Sequence, residues 1–176
     1  AAQPLSSPLE IGGIRLANRV FLAPMSGVTD RAFRKLAWRF GAGLVFSEMV
    51  ASEALVEGNA EMELKALPCG GPVHAVQLAG REPHWLRIAA QMAQANGADL
   101  IDINMGCPAK RVTTGLAGSA LMREPELALS LVEAVVGAVR IHHRKALDPA
   151  RFRPGLGDVG DTAVEKRLLA REVRID

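Results

Sequence analysis

Four short runs of apolar, mostly branched residues, each closed by a small-residue turn and followed by a stretch of helical periodicity, constrain this chain more than any other feature. They are residues 20–23 (VFLA), 44–46 (LVF), 73–78 (VHAVQL) and 100–103 (LIDI). Branched apolar side chains fit a pleated surface, and runs that hardly alternate with polar residues are buried on both faces. Strands of that kind pair in parallel beneath covering helices. Repeated four times, the order predicts an α/β fold, either a doubly wound sheet or part of a (β/α) barrel.

The intervening segments carry the matching helix signals. Thr29 or Asp30 caps a first helix on which Phe33, Leu36, Ala37 and Phe40 form one apolar face, ending at Gly41 or Gly43. Residues 52–67 read as a helix broken at Gly58. Pro83 opens a third helix with Trp85, Leu86, Ala89, Ala90 and Ala93 on one stripe, and Gly97 stands where a left-handed cap is needed. After a short helical turn at 118–121, a fourth helix over 125–139 is expected to bury Leu127, Leu131, Val132, Val135 and Val136. Ahead of all this, residues 1–15 form a leader with a hairpin at Gly12 and Gly13.

With 176 residues, 49% hydrophobic and 23% charged, the composition is that of a globular domain with a sizeable core. Apolar runs stop well short of the ~18 residues of a membrane span, and no basic-then-apolar leader opens the chain, so the expected location is the cytoplasm, with no membrane. Cys69 and Cys107 are at neither metal-ligand nor redox spacing, and His142 and His143 lack ligand partners, so no metal site is expected. A net charge of +2 leaves nucleic-acid contact to a local patch.

The chemistry concentrates where strands end. Cys107 sits between Gly106 and Pro108 on a turn past the fourth strand, with Lys110 and Arg111 behind it; nearby positive charge and solvent access are what make a thiol reactive. A free cysteine is as readily a small buried hydrophobe, and the residues alone leave both open. Gln77 and Asn104 stand at carboxyl ends of strands, where they could serve a site or merely satisfy backbone groups. Pro24, Met25 and Ser26 form the turn after the first strand, and Glu48 follows the second with no evident partner.

Taken together, APMSGVTD at 23–30, SEM at 47–49, VQLAG at 76–80 and DINMGCPAKRV followed by LAGSALM make the sequence resemble the tRNA-dihydrouridine synthases, most of all the bacterial B-type branch, over residues 11–139. The resemblance implies the N-terminal half of a TIM (β/α)8 barrel that holds FMN and uses NADPH to reduce uridines of tRNA to dihydrouridine. It implies flavin contacts from Pro24, Met25, Ser26, Gln77 and Asn104. Cys107 becomes the acid that protonates carbon 5 of the uracil while the flavin delivers hydride to carbon 6, and Lys110 and Arg111 lie near the RNA backbone. All these positions fall at carboxyl ends of strands, where barrels place active sites.

After residue 139 the likeness to the family stops. Its fifth strand with a flavin-side lysine, its later histidine, its glycine-rich phosphate loops and its tRNA-gripping helical domain have no counterpart in 140–176; Lys145 lies near the lysine's distance but in no strand-like run. The expectation is therefore two regions, a partial FMN-binding barrel over 1–139 and a divergent tail over 140–176, with activity impaired by truncation. Four strands alone leave two open edges that invite self-association. Two other readings are a non-catalytic half-barrel module and another FMN barrel such as a dihydroorotate dehydrogenase.

Overall fold

The computed structural model describes residues 3–139, and the expectations for 140–176, including Lys145, His142 and His143, lie outside the described residues. The chain opens with the expected hairpin, β1 (Leu9–Ile11) antiparallel to β2 (Ile14–Leu16). Gly12 and Gly13 have φ of 54° and 83°, the paired positive values that a two-residue turn needs to match strand twist. Leu16 is buried with Leu44, Val73 and Ala75, and Leu9, Ile11, Ile14 and Leu100 pack around them. These partners start or precede the parallel strands. The hairpin therefore covers the amino-terminal end of the sheet and leaves the carboxyl end open.

The parallel strands are β3 (Phe21–Leu22), β4 (Leu44–Val45), β5 (Val50–Ala51), β6 (Ala75–Ala79) and β7 (Leu100–Ile103). β3 pairs with β4, β5 with β6, and β6 with β7, all in parallel. A bridge from Phe46 to Ala75 joins the two groups, so β4 and β5 are the ends of one strand interrupted at residues 47–49. At the interruption the Ser47 hydroxyl replaces a ladder bond: its Oγ accepts from Gln77 N at 2.9 Å and donates to Glu48 O at 2.8 Å. Four strand positions thus lie side by side in chain order, an open α/β half barrel.

Helices cover one face. α2 (Ser52–Val56), α3 (Ala60–Ala66), α4 (Pro83–Ala95) and α6 (Pro125–Ala138) pack over Val50, Val76 and Leu78, with Ile101 and Ile103 beside them. On α4, Leu86, Ala89, Ala90 and Ala93 are all buried; their spacing of i, i+3, i+4 and i+7 gives one inward stripe, and the small alanines let the helix lie close to the sheet. Because strand side chains alternate, Gln77 and its register partner Asp102 point to the other face, toward the barrel interior.

The structure changes some expectations. α1 (Arg31–Arg39) starts as read, Asp30 Oδ1 accepting from Phe33 N at 2.7 Å, but Phe40 is 83% exposed and Phe33 and Leu36 are each more than a third exposed. The residue α1 does bury is Arg34, whose Nη2 donates to the carbonyls of Lys65 and Leu67 at 3.3 and 3.2 Å. On α6, Leu131 and Val135 are buried as expected, whereas Val132 and Val136 are exposed. The physical reason is common to both helices: α1 and α6 flank the outermost strands, β3 and β7, and among the described residues no further helix packs outside them. A short helix α5 (Lys110–Thr113) also forms where none was expected, ahead of a 3-10 segment at Gly118–Arg123.

Candidate active site

At the carboxyl ends of the strands lies a cleft of about 550 Å³, lined by Pro24, Ser26, Met49, Gln77, Asp102, Ile103, Asn104, Met105, Gly106, Cys107 and Pro108. That volume suits a small-molecule ring system. Five sequence-selected residues, Pro24, Ser26, Gln77, Asn104 and Cys107, converge there from three strand ends. Met25 belongs to the same turn but is not among the lining residues, and its side chain is exposed. Lys110 is exposed on α5, just beyond the lining. Arg111 follows on that helix, and its side chain lies outside the described residues.

The floor of the cleft is a chain of hydrogen bonds running across two strands. Gln77 Nε2 donates to Asp102 Oδ2 at 2.6 Å, and Asn104 Nδ2 donates to Gln77 Oε1 at 3.0 Å. Asn104 Oδ1 in turn accepts from Cys107 N at 3.0 Å and from Gly106 N at 3.3 Å. Each amide NH2 spends one hydrogen within the floor, so each retains one N–H for another acceptor.

The cysteine loop is held from its far side as well. Ser119 N donates to Cys107 O at 3.0 Å. Gly118, at φ +60°, lies so close that a Cβ there would stand 2.7 Å from Cys107 O and 2.9 Å from Val112 Cγ1. Arg81, beyond the end of β6, makes two bonds to the Glu124 carboxylate, at 2.7 and 2.8 Å, and reaches Leu116 O at 3.4 Å. Its hydrogen bonds hold the Glu124 carboxyl below the usual range and raise the Arg81 guanidinium further. The half-buried Cys107, one of the residues lining the cleft, is therefore fixed through its backbone on both sides.

The opposite wall is braced by Thr29 and Glu48. Thr29 is buried, its hydroxyl accepting from Met25 N at 2.9 Å. The Glu48 residue is only 6% exposed, and its Oε1 accepts from Gly27 N at 2.6 Å, which supplies the partner that sequence reading left open. Neither Asp102 nor these two braces was assigned a site role from sequence. For Asp102 a signal existed: two residues before Asn104 on a strand, it must share that residue's face.

Away from the cleft, burial pushes His74 down to about 4, aided by the nearby Arg34 charge, while Asp99 opposes the shift. Arg34 itself is lowered by burial. Among the described residues no group of histidine, cysteine and carboxylate side chains could hold a metal ion, and no helix is long and apolar enough to cross a membrane.

Comparison with known proteins bears on the family and the fold. Residues 21–148 match the family model described as dihydrouridine synthase, so the likeness runs past residue 139, where the sequence reading ended it. The probable tRNA-dihydrouridine synthase of Rhizobium leguminosarum bv. phaseoli is 63% identical over 124 residues, 70% of this chain and 39% of the relative. tRNA-dihydrouridine synthase B of Vibrio cholerae is 44% identical over 134 residues, 76% of this chain and 42% of the relative. The chain thus spans about two fifths of the length of such relatives. Among solved structures, a variant of NCR from Zymomonas mobilis aligns with a TM-score of 0.55 at 22% identity, covering 78% of this chain and 56% of that one. Histamine dehydrogenase from Rhizobium sp. 4-9 aligns with a TM-score of 0.51 at 17% identity, over 77% and 32%. At such identities the likeness concerns the fold alone.

Proposed function

This chain belongs to the dihydrouridine synthase family, and from that premise we propose that its cleft is the flavin-ring and uracil end of a tRNA-dihydrouridine synthase active site. The observation that carries the reading is the convergence of Cys107, Asn104, Gln77, Pro24 and Ser26 on one cleft at the carboxyl ends of parallel strands. The residues fit the ring of FMN: the cleft has suitable volume, and Gln77 and Asn104 each keep an N–H for a ring acceptor. When bound, FMN reduced by NADPH supplies the hydride for carbon 6 of the uracil. The turn of Pro24, Met25 and Ser26, braced by Thr29 and Glu48, would help hold the ring.

Cys107 Sγ then supplies the proton to carbon 5, completing the reduction of the double bond. Its backbone, held by Asn104 and Ser119, keeps the thiol in place over the cleft. The uridine must leave its stack to reach the cleft, and Lys110, exposed just beyond it, meets the phosphates of the tRNA strand that carries it, a role the family resemblance extends to Arg111. Such work belongs in the cytoplasm. The phosphate-holding loops that the family resemblance puts late in the barrel have no counterpart in residues 3–139. The open edges of β3 and β7 favour self-association.

The test is titration of the purified chain with FMN, followed by NADPH-dependent reduction of unmodified tRNA with and without Cys107→Ala. Saturable quenching of flavin fluorescence, and loss of any dihydrouridine formed when the thiol is removed, support the reading. A chain that never saturates with FMN, or uridine reduction unchanged by Cys107→Ala, overturns it.

A further inference from the structure

We infer that Asp102 is a positioning residue that sets the hydrogen-bond direction of the cleft floor, and with it the kind of ring edge the cleft accepts. The inference deepens the flavin reading, although its first test needs no flavin. Two carboxamides, Gln77 and Asn104, stand in series between ends of fixed character. At one end the Asp102 carboxylate can only accept; at the other the N–H groups of Cys107 and Gly106 can only donate. Each amide between them has an accepting and a donating side. Only one arrangement satisfies every junction, with each NH2 turned toward Asp102 and each oxygen toward the cysteine loop. Turning Gln77 over would set oxygen against the Asp102 carboxylate at 2.6 Å and NH2 against the NH2 of Asn104 at 3.0 Å.

Two consequences follow from that single direction. The cysteine loop is anchored because Asn104 Oδ1 is forced to face the Cys107 and Gly106 N–H groups. The unspent hydrogen on each amide makes the floor a donor surface, so the cleft selects a planar heterocycle whose edge carries carbonyl or ring-nitrogen acceptors. A merely structural Asp102 would need no particular direction in the two amides.

The direction can be broken and restored. In Gln77→Glu an ionised carboxylate replaces the NH2 that stood 2.6 Å from the Asp102 carboxylate, and the repulsion swings the side chain at position 77 away, taking with it the acceptor that holds Asn104 Nδ2. Adding Asp102→Asn removes the repulsion and provides an NH2 for the carboxylate at position 77, which then accepts from both sides and again holds Asn104 Nδ2. Hydrogen exchange of the Gly106 and Cys107 amides, followed by NMR on the apo chain, reads the effect directly. Gln77→Glu is expected to speed both about ten-fold, the loss of one hydrogen bond, and the double variant to return them to within about two-fold of the unaltered chain. Iodoacetamide labelling of the buried Cys69 reports whether each variant is folded. Should Gln77→Glu expose Cys69, Asp102→Leu, near in shape and without an acceptor, serves instead with the same expected acceleration. Unchanged exchange in the folded single variant, or a double variant as fast as the single, overturns the inference. FMN affinity, measured separately, should fall and recover in step; if exchange behaves as expected while FMN never binds, the flavin reading fails and the role of Asp102 stands.

Discussion

Gly118→Ala places a methyl group where the structure has no room for one. The new Cβ would stand 2.7 Å from Cys107 O, 2.9 Å from Val112 Cγ1 and 3.3 Å from Cys107 Cβ, and the backbone would have to keep φ at +60°. Holding an alanine in the left-handed region costs about 1–2 kcal/mol. Forcing the contact with a backbone carbonyl, which cannot rotate aside as a side chain could, adds about 1–3 kcal/mol. Letting the loop swing away from Cys107 instead forfeits the bond from Ser119 N to Cys107 O, about 1 kcal/mol, and some packing at α5. Opening is the less costly response. The expected outcome is a small loss of global stability, about 1–2 kcal/mol by urea unfolding, combined with alkylation of Cys107 about five-fold faster, since a bond worth about 1 kcal/mol has been released. Cys69, buried elsewhere, should remain protected. A variant with unchanged Cys107 reactivity would refute the claim that Gly118 holds this loop, and one in which both thiols react together would show that the cost falls on the whole fold.

Acid should destabilise the chain through His74: its folded pKa of about 4 lies below the usual 6.5, so the unfolded state binds the proton first. The contribution is complete above about pH 6.5 and is lost as pH falls toward 4, at most about 3 kcal/mol, and His74→Gln should flatten that part of the urea-unfolding profile. Leu86→Ala, emptying a fully buried position between α4 and the sheet, should cost about 3 kcal/mol in the same assay; a loss below 1 kcal/mol would mean that the core collapses around the gap. Glu48→Gln weakens a charge-assisted bond to Gly27 N and should cost about 1 kcal/mol while reducing FMN affinity, with Ser47→Ala as a comparison that breaks the strand interruption but spares the turn.

Much of this molecule can be read along the chain. Hydrophobic runs without alternation specify parallel strands covered by helices, because a strand buried on both faces has no use for polar positions. Gly12 with Gly13, Asp30, Gly58 and Pro83 mark a hairpin, a cap, a break and a start by local steric and hydrogen-bonding rules that hold whatever surrounds them. The motif DINMGCPAK reveals Cys107 and Asn104 for the same reason: their neighbours in sequence are their neighbours in the turn.

What the sequence could not decide depends on partners distant along the chain. Helical spacing identified apolar faces on α1 and α6, but whether Phe40 or Val136 is covered depends on which helix lies alongside, and periodicity contains no such information. Glu48 meets Gly27 across 21 positions, and Gln77 joins Asp102 across 25. Residue types and local order determined the strands, the turns and the thiol; only the pairing of β6 with β7 brought a carboxylate and two amides into one directed line, because hydrogen-bond direction is a property of groups in contact.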